Sequence, residues 1–312
     1  MSPPKVSVLM ATYNAMPFLP PAVESILGQT FADFQFVIVD DGSTDDSHDY
    51  LNSLDDARIK LVQNKNSGLS AALNRGIQAC AGEYVARMDA DDISMPNRLA
   101  VQVDFLDRRP DISCVGTQVV PFGDSGSGSD LRLPTKHREI VQCLKEGRHA
   151  IVHASAMMRL EVLQKIGGYW PYRLVAEDYD LFLRMSEVAE LATIDEVLYR
   201  VRYHMSSLNG QDMLRMRRAV DFAGELARRR GVNEPPLTFD EFVAMRKSAP
   251  WPKRVSESLD AYARVHYRIA MGELCSGKRT TGYLRMGWAA ACSPSLTFQR
   301  MLRVIKPASS KT

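Results

Sequence analysis

No window of this 312-residue chain offers the roughly 18 consecutive apolar residues that a membrane span needs. The apolar run Val6 to Ala11 follows only Lys5 and is too short for a secretory signal. The five cysteines, Cys80, Cys114, Cys143, Cys275 and Cys292, are odd in number and form no C-x-x-C pair, which argues against a zinc site or a disulfide framework and for a reducing compartment. There is no internal repeat, and the formal net charge is only +2. A glycine-rich phosphate loop is missing too. The first apolar run is followed by Ala11-Thr-Tyr-Asn14, not G-x-G-x-x-G, which sets aside a dinucleotide-binding dehydrogenase. The basic, glycine-rich loop of a sugar nucleotidyltransferase is absent for the same reason. These absences predict a protein that is cytoplasmic, and either soluble or peripheral on the inner face of the plasma membrane.

The small net charge hides an asymmetry. Residues 211–312 carry 19 Lys and Arg against 9 Asp and Glu, so the two parts of the chain hold about −8 and +10. A basic second part suits an anionic surface such as phospholipid or a lipid-linked phosphate, although a solvated helical face explains it equally. Nucleic acid is not expected, because the arginines lack an interleaved aromatic platform.

The acids concentrate most in Glu83-Tyr-Val-Ala-Arg-Met-Asp-Ala-Asp-Asp92. Tyr84 to Met88 reads as a short strand, and Pro96 as the opening of a helix with Leu99, Val103 and Leu106 at helical spacing. Asp89, Asp91 and Asp92 therefore fall at a strand's carboxyl end, where open α/β sheets bind ligands. Carboxylates about 4 Å apart repel by roughly 4 kcal/mol at an effective dielectric near 20, so such a trio calls for a cation. Oxygen donors favour a hard ion, Mn²⁺ or Mg²⁺. Taken alone, the cluster could also be an acidic turn capping a helix.

Upstream, Val6 to Met10 and Phe36 to Val39 are apolar strands, each followed by a polar loop and a helix. Pro20 and Pro21 open the first helix and Gly28 closes it. After the second strand comes Asp40-Asp-Gly-Ser-Thr-Asp45, where Ser43 or Thr44 is expected to cap a helix. Ile59 to Gln63 gives a third strand, and Asn66-Ser-Gly68 turns into a helix over Leu69 to Ala79. This alternation predicts an α/β, doubly wound, mainly parallel sheet with Thr12, Tyr13, Asp41 and Asp89 along one edge.

The strings V-S-V-L-M-A-T-Y-N, V-D-D-G-S-T-D, N-x-G ahead of a helix and G-E-Y-V-A-R-M-D-A-D-D, in that order, resemble the family 2 inverting glycosyltransferases of the GT-A fold. The resemblance covers roughly residues 4 to 205. It implies a nucleoside diphosphate sugar donor, most simply UDP-linked, and a glycan or lipid-linked glycan acceptor, in cell-surface polysaccharide or lipopolysaccharide synthesis. By that resemblance Ala11, Thr12, Tyr13 and Asp41 hold the base, with Tyr13 as its stacking platform. Asn66 and Ala90 join the nucleotide-sugar site, Asp89 takes the ribose side, and Asp91 binds the metal bridging the phosphates. In Ala176-Glu-Asp-Tyr179, Asp178 becomes the catalytic base and Glu177 its neighbour or an acceptor contact. Without the resemblance, both read as first-turn helix acids. His153 is a weaker acceptor-side candidate or a buried polar residue, and His204 a candidate metal ligand.

Leu181-Phe-Leu-Arg-Met185 lacks the Gln and Trp of the Q-x-x-R-W motif that marks processive synthases, so a non-processive enzyme is implied. The alternative is a glycan-assembly scaffold that keeps nucleotide binding without turnover. Between these motifs, Ile112 to Gly116 reads as a strand, Pro121 to Asp130 as a flexible loop, Thr135 to Gly147 as a helix, and His153 to Met158 and Tyr199 to His204 as strands. The expected domains are 1–208, catalytic, and 209–312, all-helical and basic. In the latter, Arg215, Arg217, Arg218, Arg228, Arg229 and Arg230 are candidates for anionic lipid heads. Tyr283, Met286, Gly287 and Ala290 are expected to form a core stripe.

Overall fold

Strand and helix alternate through the first two thirds of the computed structural model, which describes residues 3–123, 126–127, 132–170, 176–202, 210–275 and 278–294. The elements run β1 (Val6–Thr12), α1 (Leu19–Leu27), β2 (Phe34–Asp40), α2 (Ser47–Asn52), β3 (Ile59–Gln63), α3 (Leu69–Ala79), β4 (Tyr84–Asp89) and β5 (Ile93–Ser94). They continue with α4 (Arg98–Arg108), β6 (Ile112–Gly123), β7 (Gly126–Ser127), α5 (His137–Lys145), β8 (Met157–Arg159), α6 (Leu160–Lys165), α7 (Glu177–Ser186) and β9 (Glu190–Arg202). The helices α8 (Gly210–Gly231), α9 (Phe239–Lys247), α10 (Trp251–Cys275) and α11 (Arg279–Cys292) follow.

The strands form one mixed sheet in the order β3-β2-β1-β4-β8-β6-β9-β5, with β7 paired to β6. β3, β2, β1 and β4 are mutually parallel, and β6 is parallel to β9. Only β5, β7 and β8 run antiparallel to their neighbours.

Side chains alternate across each strand, and β1, β2 and β4, buried almost throughout, are covered on both faces. Val6, Val8 and Met10 of β1 pack with Leu19, Val23 and Ile26 of α1 and Leu99, Val103 and Leu106 of α4. Leu9 faces the other way, into a core with Ala72 and Leu73 of α3, Leu144 of α5 and Phe182 of α7. α8 joins this second core through Val220 and Ala223, while its Phe222 and Leu226 pack with Leu237 and Phe242 in a third cluster. The helical region is thus continuous with the sheet's own packing.

Four local expectations are corrected. α2 begins at Ser47, beyond Ser43 and Thr44, because those two residues are drawn to Asn14: Ser43 Oγ accepts the Asn14 N–H at 3.1 Å and the Thr44 N–H donates to Asn14 Oδ1 at 2.7 Å. Pro121 to Gly123 lie in β6, whose ladder to β9 extends to the Phe122–Arg202 pair. His153–Ser155 form a 3₁₀ turn, and the strand expected there starts only at Met157. The stripe expected as core on α11 is not core, since Tyr283 is 64% exposed and Gly287 is exposed.

Four of the six candidate lipid-binding arginines have acidic partners within the chain. Arg217 pairs with Asp221 at 2.7 Å, Arg228 with Glu225 and Glu234, Arg229 with Glu225, and Arg230 with Glu187 at 2.9 Å. The pairs of Arg217, Arg228 and Arg229 lie within α8 or the turn after it, and of the four arginines Arg230 alone pairs with an acid outside them. Among the described residues, no helix is long and apolar enough to cross a membrane.

Candidate active site

Parallel pairing sets the site's floor. The register places Ala11 opposite Asp89 and Thr12 opposite Asp40, so the loops leaving β1, β2 and β4 open on one edge. Asn14, at φ 49°, is the staple between the first two loops: its Oδ1 accepts the Thr44 and Asp45 N–H groups. This leaves the Tyr13 ring 48% exposed at the rim. Thr12 is buried, and its hydroxyl has no hydrogen-bond partner. An orphaned buried hydroxyl is uncommon, and here it lies beside the cleft.

Asp41 is buried and strongly engaged. Its Oδ1 accepts from Asn64 Nδ2 at 2.8 Å and Ser67 N at 2.9 Å, and its Oδ2 from Gly68 N at 2.9 Å. Those bonds hold the Asn66-Ser67-Gly68 turn against β2, with Gly68 at φ 89° in a conformation that suits glycine. Three of the carboxylate's four or so acceptor positions are thereby filled. Asp40 is a turn residue: it accepts from Ser43 N and faces His48 Nδ1 at 2.9 Å. Burial alone would raise its pKa, but the Ser43 and His48 contacts outweigh that and hold it below the usual value.

At the end of β4, carboxylate oxygens of Asp89, Asp91 and Asp92 lie within 4.8 Å of one another. Ala90 between them is buried. Asp89 is ion-paired with Arg87, two residues earlier on the same face of the strand. Arg87 is almost wholly buried; burial alone would favour its neutral form, and Asp89, then Tyr199, more than offset that. Tyr199 of β9 accepts the Asp89 N–H at 3.2 Å, and its ring lies under the buried Arg98 guanidinium. Arg98 in turn donates to the Arg87 carbonyl at 2.7 Å. Arg202 closes the other side, its backbone N–H on Asp92 Oδ1 and its Nε on the Asp91 carbonyl, both at 2.7 Å.

Asp92 is buried, and its pKa is raised well above the usual aspartate value by burial first and then by Asp89 and Asp91. An oxygen-only trio that repels itself, with Asp92 buried and Asp89 and Asp91 half-buried, is a donor set that fits a hard divalent cation. Without a cation it costs stability. The folded state holds the Asp92 proton to higher pH than the unfolded chain does, so above that raised pKa the ionised group destabilises the fold. Asp92→Asn is therefore expected to stabilise the metal-free protein by on the order of 1–2 kcal/mol at pH 8. The gain should shrink as the pH falls through the raised pKa and vanish near pH 4, about the unfolded value. Urea unfolding in EDTA at pH 8 and pH 5 checks this.

The second acidic pair opens α7. Glu177 Oε2 accepts the Ala176 N–H, and Asp178 Oδ1 accepts the Tyr179 N–H at 2.8 Å. Ala176 has φ 132°, a region that L residues rarely adopt and that is often found where a site constrains the chain. Glu177's pKa is raised by burial and then by Asp178, with the backbone N–H groups of Glu177 and Ala176 and then Arg87 pulling it back. The Arg87 charge is thus felt by both acidic clusters.

His153 is buried, with Nε2 2.6 Å from the Tyr169 hydroxyl and its ring edge-on to Tyr169 and Phe182. Burial, reinforced by Arg87, pushes its pKa well below the usual imidazole value, so it is neutral. His204 lies outside the described residues.

The turn after α6 is anchored from two sides. Asn74 exchanges two hydrogen bonds with the Tyr169 backbone, and Arg184 donates to the Ile166 and Gly168 carbonyls and to Asp180 Oδ2, each within 2.8 Å. At Gly168, φ is 66° and a Cβ would come within 2.5 Å of Asn74 Oδ1. Arg184→Ala would strand buried Asp180 and two carbonyls, and is expected to cost about 3–5 kcal/mol in urea unfolding.

Sequence reading missed Arg87, Arg98, Tyr199 and Arg202. Arg87 alone left a signal, a cation within an otherwise apolar strand two residues before an acid.

A family profile described as Glycosyl transferase family 2 matches residues 7–167. EpsE of Bacillus subtilis is 36% identical over 209 residues, 64% of this chain and 74% of that protein. The amylovoran biosynthesis glycosyltransferase AmsE of Erwinia amylovora is 31% identical over 222 residues, 69% of this chain and 80% of that one. Among solved structures, S. aureus TarS 1–349 in complex with UDP-GlcNAc superposes with TM-score 0.55 at 16% identity, over 95% of this chain and 92% of that one. The mannosyltransferase PcManGT of Pyrobaculum calidifontis, in complex with GDP-Man and Mn²⁺, gives TM-score 0.54 at 19% identity, over 98% and 82%.

Proposed function

Because the chain belongs to glycosyl transferase family 2, with the GT-A-like fold of its structural neighbours, we propose that it moves a sugar from a UDP-sugar to a hydroxyl of a glycan acceptor in cell-surface polysaccharide or lipopolysaccharide synthesis, inverting the anomeric centre. The observation that carries this reading is the pair of acidic clusters, Asp89-Asp91-Asp92 at the end of β4 and Glu177-Asp178 at the start of α7. One cluster suits a diphosphate with its cation and the other suits proton removal. The likeness to AmsE supports the polysaccharide part of the proposal.

In this reading Tyr13 stacks on the base, and Ala11, Thr12, Asn66 and Ala90 line the nucleotide side. Asp41 has about one acceptor position left. That matches uracil, which offers a single ring N–H, better than guanine, whose N–H and amino group ask for two acceptors. Asp89, held by Arg87, receives the ribose. Asp91, beside Asp92, would hold Mn²⁺ or Mg²⁺, which when bound neutralises charge on the departing diphosphate; His204 is a further candidate ligand.

Asp178 accepts the proton of the acceptor hydroxyl as its oxygen attacks the anomeric carbon from the face opposite the diphosphate. One displacement with one base inverts the centre, so an α-linked donor gives a β-linkage. A positioned base of this kind contributes about 10²–10⁴ in rate. Glu177 and His153 remain on the acceptor side of the proposal, His153 acting through Tyr169.

We divide the chain into a catalytic part, 1–208, and a helical part, 209–312, acting without processivity at the cytoplasmic face of the membrane on a lipid-linked glycan. The rival reading, a scaffold that binds nucleotide without turnover, predicts the same binding and no transfer. Titration calorimetry of UDP, GDP and dTDP with Mn²⁺ and then with EDTA is the test. UDP should bind best and lose at least about tenfold in EDTA. Absence of binding by all three overturns the proposal.

A further inference from the structure

The hairpin of α10 and α11 carries an outward surface unlike the rest of the helical region. The two helices run antiparallel: Gly282 packs against Ala270 and Leu274, Arg285 Nε meets Glu273 at 2.9 Å, and Ser293 donates to Asp260 at 2.5 Å. Small residues, Ala263, Ala270, Gly282 and Ala289, fill the seam. Large residues point away from it. Trp251, Val255, Leu259 and Tyr262 recur along one face of α10, and Tyr283, Leu284 and Trp288 project from α11, with Trp251 74%, Leu284 71% and Trp288 60% exposed. So many outward aromatic and aliphatic side chains on adjoining helices mark a surface that meets something.

Charge identifies what it meets. The acids of the hairpin are engaged within the chain: Glu257 pairs with Arg246 at 2.7 Å, Asp260 accepts from Ser293, and Glu273 is buried against Arg285. Arg254, Lys278 and Arg279 are exposed on the same hairpin. Beyond Glu273 the sequence has no Asp or Glu and seven Lys or Arg. A second copy of this chain seated on the hairpin would set cation against cation across a two-fold axis. An anionic bilayer offers what both features want, a headgroup zone for Trp and Tyr and negative charge for Arg and Lys.

We propose that the α10–α11 hairpin docks the protein on anionic phospholipid, with Trp251, Tyr283, Leu284 and Trp288 at the headgroup boundary and Arg254, Lys278 and Arg279 on the phosphates. The contact moves to this hairpin from the α8 arginines, four of the six of which are engaged in intramolecular pairs. It does not depend on sugar transfer.

The test uses the full chain and vesicles of phosphatidylcholine, alone or with about a third phosphatidylglycerol, at low and high salt. Two of the three tryptophans are on the hairpin. Anionic vesicles should therefore pellet the protein and shift its tryptophan emission to the blue, with at least about tenfold weaker binding at high salt or to neutral vesicles. Trp251→Ser with Trp288→Ser, and separately Lys278→Glu with Arg279→Glu, should each lose about tenfold in vesicle binding while nucleotide binding stays unchanged. Three results overturn the proposal. One is no pelleting by anionic vesicles at low salt, and another is undiminished pelleting of the tryptophan variant. The third is a lipid-free dimer that the tryptophan variant dissociates, which assigns the surface to a second copy.

Discussion

Asp178→Asn is expected to lower sugar transfer by about 10²–10⁴ while nucleotide affinity stays within a factor of about two. The substitution keeps an oxygen for the Tyr179 N–H, which Asp178 Oδ1 accepts at 2.8 Å, so the first turn of α7 has no reason to unravel. What it removes is the capacity to take a proton. An amide does not accept the proton of a sugar hydroxyl as attack proceeds, whereas binding of the donor draws on groups at the ends of β1, β2 and β4. Initial rates with saturating donor, paired with calorimetric titration of UDP, separate the two effects. Unchanged transfer would remove Asp178 from the role of base, and joint loss of binding and transfer would recast it as a structural residue. Equal loss in Glu177→Gln would point to an acid pair acting as a unit.

Asp91→Asn should have the next largest effect, about 10²-fold weaker UDP binding in Mn²⁺ and almost no change in EDTA. The contrast follows from the layout of the cluster. Asp89 is neutralised by Arg87, and Asp92 is buried and tied to the Arg202 backbone. Asp91 is half-buried, and its backbone carbonyl, which Arg202 Nε holds at 2.7 Å, is untouched by the substitution. Calorimetry with and without Mn²⁺ gives the double difference directly. Tyr13→Ala is the internal control: a lost stacking platform should cost about 1–3 kcal/mol equally in both conditions. If Asp91→Asn retained the full metal effect, Asp89 and Asp92 would be sufficient to hold the cation.

Much of the site's location was readable before any coordinates. β3 and α3 begin and end where turn residues and periodicity put them, and α1 closes at Gly28. Such features depend on residues close together in the chain: alternation of side chains for a strand, a repeat of 3.6 for a helix, a glycine where the helix closes. The position of Asp89, Asp91 and Asp92 at a strand's carboxyl end follows from the same local logic, as does that of Glu177 and Asp178 in a helix's first turn.

The readings that changed are those that turn on a partner distant in sequence. Ser43 and Thr44 look like caps until Asn14, some thirty residues earlier, claims them. The six arginines of α8 look like an anionic-surface patch, yet Glu187, Asp221, Glu225 and Glu234 engage four of them. On α11 the periodicity is helical, but small residues took the seam and the aromatic side chains were left outside.

The sequence by itself determined the alternation of strand and helix, the edge on which the loops open and the identity of the acids there. Periodicity and turn chemistry act over a few residues, so they survive without a fold. Tertiary structure alone decided which charge neutralises which and which face of each helix is left for a partner. Those outcomes depend on burial, and a charge or an aromatic ring is buried only by residues that the chain brings back from far away.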